Sequence, residues 1–161
     1  MKKAFFLLFV IIGLFSCKNQ EDNLFLFNNV SFTLLQNEKT STITTIEKDK
    51  FFSYFNEQAP GIPMYKCIKT NTHTIYIALP YNTSFQSLSD TNLLLCNQDA
   101  LNQVKDSAYY YSRYDCSGEF VSEYVVSVDG NIIYLLASAS SKAIADSLFS
   151  FNAMKNRFVL K

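Results

Sequence analysis

The sequence predicts an α+β domain: an antiparallel sheet of about five to seven strands with two or three helices packed on it. Three observations predict it. Short runs of alternating apolar and polar side chains recur from Val30 to Ser138, separated by turn residues. Asp129-Gly130 stands between two such runs, the strongest short hairpin signal, because both turn positions need positive φ. Strand and helix signals do not alternate strictly, which disfavours a doubly wound parallel sheet.

The elements follow in order. Leu24 to Leu35 is rich in Leu, Phe and Val, and Val30, Phe32 and Leu34 alternate with Ser31 and Thr33 as in a half-buried strand. Residues 36–42 are polar and turn-like. Thr44 and Glu47 have capping-box spacing, and Phe51, Phe52, Tyr54 and Phe55 continue with helical spacing. Ala59-Pro60-Gly61-Ile62-Pro63 stops that helix. Met64 to Lys69 and His73 to Leu79 read as a hairpin around Thr70-Asn71-Thr72. Residues 80–92 are loop-like with a helical turn near Phe85, and Leu93 to Cys96 is a short apolar run. Gln98 to Asp106 reads as a short helix turning Ala100, Leu101 and Val104 inward. Ala108 to Tyr114 is a Tyr-rich strand and Asp115 to Gly118 a turn. Glu119 to Val128 and Ile132 to Ser138 are the arms of the Asp-Gly hairpin. Ser140 or Ser141 caps a last helix carrying Ile144, Leu148 and Phe149. That helix either stops near Phe149, leaving Phe158-Val159-Leu160 as a strand, or runs on to Arg157.

Composition narrows the function classes. The chain has 161 residues and 14 basic against 14 acidic side chains. With no basic stripe, nothing in the charge pattern draws nucleic acid. Fifteen Phe and ten Tyr favour sheet and supply large buried areas. Four Gly and three Pro are too few for a low-complexity chain.

The first residues have their own logic. Lys2 and Lys3 precede Ala4 to Phe15, a run of twelve residues without a polar side chain. That is short of the roughly 20 apolar residues of a spanning helix and matches a secretory leader. The run ends Leu14-Phe15-Ser16-Cys17. This resembles the lipobox of bacterial lipoproteins, with Leu at −3, a small residue at −1 and Cys at +1; Phe15 at −2 departs from the usual small residue. The resemblance implies that residues 1–16 are removed, that the Cys17 thiol receives a diacylglycerol, and that its new amine is acylated. Several acyl chains (palmitate and its kin) give stable anchoring where one is marginal. Residues 17–23 then form the lipidated Cys and a polar tether, and 24–161 the globular domain. Lys18 differs from the Asp that retains some lipoproteins in the inner membrane, which points to the outer membrane. Lys18 followed by Glu21 and Asp22 also loosely resembles a surface-export tag.

Chemistry-bearing residues are sparse. Apart from Cys17 there are Cys67, Cys96 and Cys116, without C-x-x-C spacing. In an oxidising compartment one pair can join and leave the third as a buried thiol, or all three stay free. His73 is the sole histidine, so no multi-histidine metal site is predicted; it reads as a partly exposed turn residue. Asp115, Glu119 and Glu123 are the nearest thing to a carboxylate group. No cofactor motif is present. Tyr109, Tyr110, Tyr111 and Tyr114 are the most unusual local feature. In a two-layer domain one face of that strand stays open, so Tyr109 and Tyr111, with Arg113 beside them, form a candidate recognition surface. Asp106-Ser107-Ala108 and Asp146-Ser147-Leu148 resemble a short O-glycosylation acceptor, which would make Ser107 and Ser147 modification sites. The expectation is a non-enzymatic envelope lipoprotein, held on a membrane through Cys17 and binding an envelope protein or glycan, in an immunity-type role for example. An envelope hydrolase and a structural assembly protein are the alternatives.

Overall fold

The computed structural model describes residues 22–27, 29–55, 62–90, 94–96 and 100–160. The fold grows from the hairpin that the sequence marks most strongly. Asp129 and Gly130 take φ of 49° and 76°. They join β8 (Glu119–Val128) to β9 (Asn131–Ala139) in unbroken antiparallel register, from Val128↔Asn131 to Phe120↔Ala139. A second tight turn, Ser117-Gly118, joins β7 (Tyr109–Cys116) to β8. On the other side β5 (His73–Ala78) pairs with β9, and β4 (Met64–Lys69) pairs with β5 as the predicted hairpin. The edges are β3 (Lys39–Ser41) and β6 (Asn102–Lys105), giving the order β3-β4-β5-β9-β8-β7-β6.

Both faces of this sheet are covered. One face lies under α1 (Thr45–Phe52), α2 (Phe85–Asp90) and residues 94–96, with Phe51, Tyr54, Leu88 and Leu94 meeting Tyr76, Val121, Val125 and Leu136. The other lies under a second antiparallel sheet of β1 (Asn23–Phe27), β2 (Val30–Thr33) and β10 (Phe158–Leu160), order β1-β2-β10. Two further helices, α3 (Lys142–Leu148) and α4 (Phe151–Lys155), cover the rest of that face. Phe32, Phe149 and Met154 pack there on Ile75, Ile77, Ile133 and Leu135. No helix among the described residues is long and apolar enough to cross a membrane.

The α+β antiparallel class stands, with more strands and helices than the sequence suggested: ten and four among the described residues. The capping box forms as read, Thr44 accepting from the Glu47 N–H while the Glu47 carboxylate accepts from the Thr44 N–H. The expected helix from Gln98 to Asp106 is corrected. Residues 102–105 are β6, because the edge of β7 offers backbone partners that outweigh a marginal helical spacing; Leu101 is exposed rather than core. The segment Leu24 to Leu35 holds two strands, and residues 39–41 of the polar stretch pair with β4. The C-terminal helix breaks at Phe149 and restarts because Ser150 caps it again, accepting from the Ala153 N–H at 3.4 Å. The helix stop at Ala59 to Gly61 and the start of the Leu93 run lie outside the described residues.

A buried ionic group joins the two sheets. Glu38 accepts from the Leu35 N–H at 3.0 Å, pairs with His73 Nε2 at 2.9 Å, and pairs with Arg157. Arg157 also donates through Nε to the Thr33 carbonyl at 2.9 Å. Burial works to raise the Glu38 pKa, but the His73 hydrogen bond, the Arg157 charge and the Leu35 N–H together hold it below its ordinary 4.5.

Replacing Glu38 with Ala strands the buried Arg157 guanidinium without its counter-charge and leaves the His73 ring nitrogen without its partner, an expected loss of about 3–5 kcal/mol in urea unfolding at neutral pH. Because the folded pKa is depressed, this stabilisation is present above the unfolded pKa and fades as pH falls through the folded value. The gap between wild type and Glu38→Ala should therefore close in acid; a gap that is constant across pH rejects the account.

Candidate functional site

The turn between β7 and β8 sets the site. Ser117 and Gly118 adopt φ of 57° and 88°, and the Gly118 N–H donates to Asp115 Oδ1 at 2.9 Å. This places Cys116 directly across from Glu119. Cys116 is bonded to Cys96, with Cα atoms 5.2 Å apart. The disulfide holds residues 94–96 against the end of α1, where Phe55 bridges to Leu94 and the Leu95 N–H donates to the Tyr54 carbonyl at 2.8 Å. Between these parts lies a cleft of about 280 Å³, lined by Lys50, Ser53, Tyr54, Leu95, Asp115 and Glu119 together with the disulfide.

Charge inside the cleft is organised around Glu119. Lys50 Nζ is 3.0 Å from Glu119 Oε2 and 4.7 Å from the centre of the Tyr54 ring. Burial works to raise the Glu119 pKa, but hydrogen bonding led by Lys50 holds it below the usual carboxylate value. The Tyr54 hydroxyl is buried and lies beside the Glu119 carboxylate and the Ser138 hydroxyl. Burial raises the pKa of this phenol, so it stays protonated.

Deeper on the same face lies a second polar group. Glu123 is 1 % exposed. Tyr134 donates its hydroxyl to Glu123 Oε1 at 2.6 Å and Ser112 donates to Oε2 at 3.0 Å. Desolvation outweighs both bonds and pushes the carboxyl up to about 7. Val121 stands between Glu119 and Glu123 on this face, so the two carboxyls do not share a site.

The residues singled out by sequence fall in different places. Cys96 and Cys116 form the disulfide, and Cys67 is the buried free thiol, its pKa raised by burial. Glu119 and Asp115 line the cleft, while Glu123 does not. His73 is buried rather than partly exposed, because Glu38 needs its ring nitrogen. The expected Tyr surface is also corrected. Tyr111 is fully buried between Tyr124 and Phe151, and Tyr109 is half-buried beneath Lys155. Arg113 is buried and ties α3 to the sheet, donating to the Ala145 carbonyl at 2.7 Å and to Asp146 at 2.5 Å. The premise of an open face fails because α3, α4 and the small sheet cover it. Ser107 and Ser147 are exposed. Cys17 lies outside the described residues, as do Lys18 and Glu21. Among the described residues no group of three or more His, Cys, Asp or Glu could hold a metal ion.

Sequence reasoning missed Lys50 and Tyr54 as site residues. Lys50 meets Glu119 across 69 positions, and no local pattern announces such a pair. A second, shallower hollow of about 390 Å³ lies beside Thr40, Thr42 and Tyr65 and holds no ion pair.

No family model matches this chain, and none of the curated proteins matches it. Among solved structures it is similar to the solution structure of cyanobacterial PsbP (CyanoP) from Synechocystis sp. PCC 6803. That similarity has a TM-score of 0.47 and 11 % identity, over 83 % of this chain and 87 % of that one.

Two predictions follow from the geometry of this face. Glu123 has a raised folded pKa, so its neutral form stabilises the fold below the unfolded value, and that contribution is lost as pH rises through about 7. Glu123→Gln should remove this decline and exceed wild type in stability above pH ~8, by on the order of 3 kcal/mol; parallel stability curves for the two proteins would refute it. Cys116→Ser opens a link spanning 20 positions. It should cost about 3 kcal/mol in thermal unfolding, and a reductant should lower the wild-type midpoint toward the variant's.

Proposed function

We propose that the chain is a lipid-anchored lipoprotein of the bacterial envelope whose α+β domain is a binding module. The observation that carries this reading is Leu14-Phe15-Ser16-Cys17 closing a twelve-residue apolar run behind Lys2 and Lys3. The Cys96–Cys116 disulfide supports it, since such bonds persist in exported proteins and are rare in a reducing cytosol. Lys18 after the lipidated Cys favours the outer membrane.

The binding surface in this reading is the cleft beside the disulfide, in place of the half-buried Tyr109 and the buried Tyr111 and Arg113. Its partner is an envelope protein or glycan, and an immunity-type role that neutralises an incoming toxin is one concrete form. Ser107 and Ser147 are exposed acceptors for glycosylation in the same compartment. The hydrolase reading asks for converging carboxylates, one of them held protonated. Here the raised carboxyl, Glu123, is sealed by Tyr134 and Ser112, while Glu119 in the cleft is held ionised. The geometry therefore favours binding over hydrolysis.

Expression in a Gram-negative host with an alkyne-tagged fatty acid tests the anchor. The wild-type chain should take up the label and fractionate with membranes, and Cys17→Ala should lose the label. Equal labelling of that variant rejects the lipoprotein reading.

A further inference from the structure

In the cleft, the Lys50 ammonium is held between the Glu119 carboxylate and the face of the Tyr54 ring. A carboxylate beside an aromatic face is the set of groups that recognises an alkylammonium ion. Three features separate this arrangement from an ordinary surface ion pair, which contributes little. The pair lies inside a cleft of about 280 Å³ walled by a disulfide. Tyr54 is only 6 % exposed, so its ring forms a fixed wall of the cleft, with its hydroxyl beside Glu119. Finally, the Lys50 side chain is 49 % exposed, so it can swing into water without disturbing the core.

We infer that the cleft is an alkylammonium subsite with Lys50 as its resident stand-in. An incoming primary ammonium, from a lysyl side chain of a partner protein or from a free diamine, displaces Lys50 and takes its place on Glu119 and Tyr54. Ser53 and Ser117 at the cleft wall are placed to meet polar atoms of the same ligand. The inference rests on the reading of the domain as a binding module and is independent of the lipid anchor. A resident group that fills the subsite nine-tenths of the time lowers the apparent affinity about tenfold, so removing it raises affinity by that factor.

Calorimetric titration of the full chain in detergent tests this, with two probes: cadaverine for a free diamine, and Nα-acetyl-lysine amide for a lysyl side chain. Lys50→Met should bind at least one probe about tenfold more tightly than wild type. Adding Glu119→Gln to that variant should abolish the gain, with far-UV circular dichroism unchanged. The probe with the larger gain identifies the source of the ammonium. In the wild-type chain, a saturating amine should also shift the NMR resonance of the Lys50 ε-methylene, which keeps the test sharp if a variant misfolds. Lys50→Met binding no tighter than wild type, or a gain that survives Glu119→Gln, overturns the inference. Because the probes are small amines, that failure leaves the lipid anchor to its separate labelling test.

Discussion

A carboxylate buried at Glu38 draws together three parts of the chain that are far apart in sequence. It sits in the link between β2 and β3, takes the ring nitrogen of His73 at the start of β5, and takes the guanidinium of Arg157 just before β10. Arg157 in turn reaches the Thr33 carbonyl, while the Thr33 N–H returns to the Arg157 carbonyl at 2.8 Å. β2 and the last described strand, β10, are thereby locked side by side in the small sheet above the large one. Removing one member of an ionic group so buried leaves charge stranded, and Arg157 already holds its Nη1 buried without a hydrogen-bond partner among the described residues, over the face of Phe32. Together with the apolar packing of Leu26, Val30 and Phe32, that closure seats the small sheet on one face of the main one, beside α3 and α4.

Once that face is closed, the fate of the tyrosines follows. Along β7 successive side chains alternate between faces. With both faces covered, Tyr110 and Tyr114 are buried on one side and Tyr111 on the other. Polar atoms then accumulate on the α1 side, where Ser112, Glu123 and Tyr134 satisfy one another. On the opposite side Arg113 performs the matching task for α3. Aromatic residues that suggest a recognition surface in the sequence thus serve the interior, while the exposed polar chemistry gathers at the β7–β8 end.

What the sequence reveals and what it hides divides by range. The capping box at Thr44 and the hairpin at Asp129-Gly130 are legible because every atom they need lies within a few residues. β6 is illegible because its stability comes from pairing with β7, not from its own weak pattern of Asn102, Gln103, Val104 and Lys105. The break at Phe149 is ambiguous for a related reason. Ser150 can cap a new turn or lie within a longer helix, and the choice falls to the packing of Phe149 and Met154 on the sheet. His73 reads as exposed because its partner, Glu38, is 35 positions away and looks like one acidic residue in a polar turn. Carboxylates near the site were visible in part: Glu119 lies in it, whereas its partner Lys50 reads as one more lysine on the solvated side of a helix.

The disulfide ties the question of where the domain acts to the question of what it can bind. Cys96–Cys116 fastens residues 94–96 to the β7–β8 turn, and Leu94 and Leu95 reach the end of α1 from there. One wall of the cleft is therefore covalent. In a reducing compartment that wall would lose its covalent tie and rest, among the described residues, on the Phe55–Leu94 bridge and on packing. Lys50, Tyr54 and Glu119 would keep their places on α1, the turn after it and β8, but Leu95 and Cys96 on the facing wall would lose their fastening. Shielding is what gives a carboxylate and an aromatic ring their hold on an ammonium ion, since the same groups in open water attract it weakly. The covalent wall of the cleft thus depends on an oxidising environment in which Cys96 and Cys116 stay joined, the environment that the proposed export would supply.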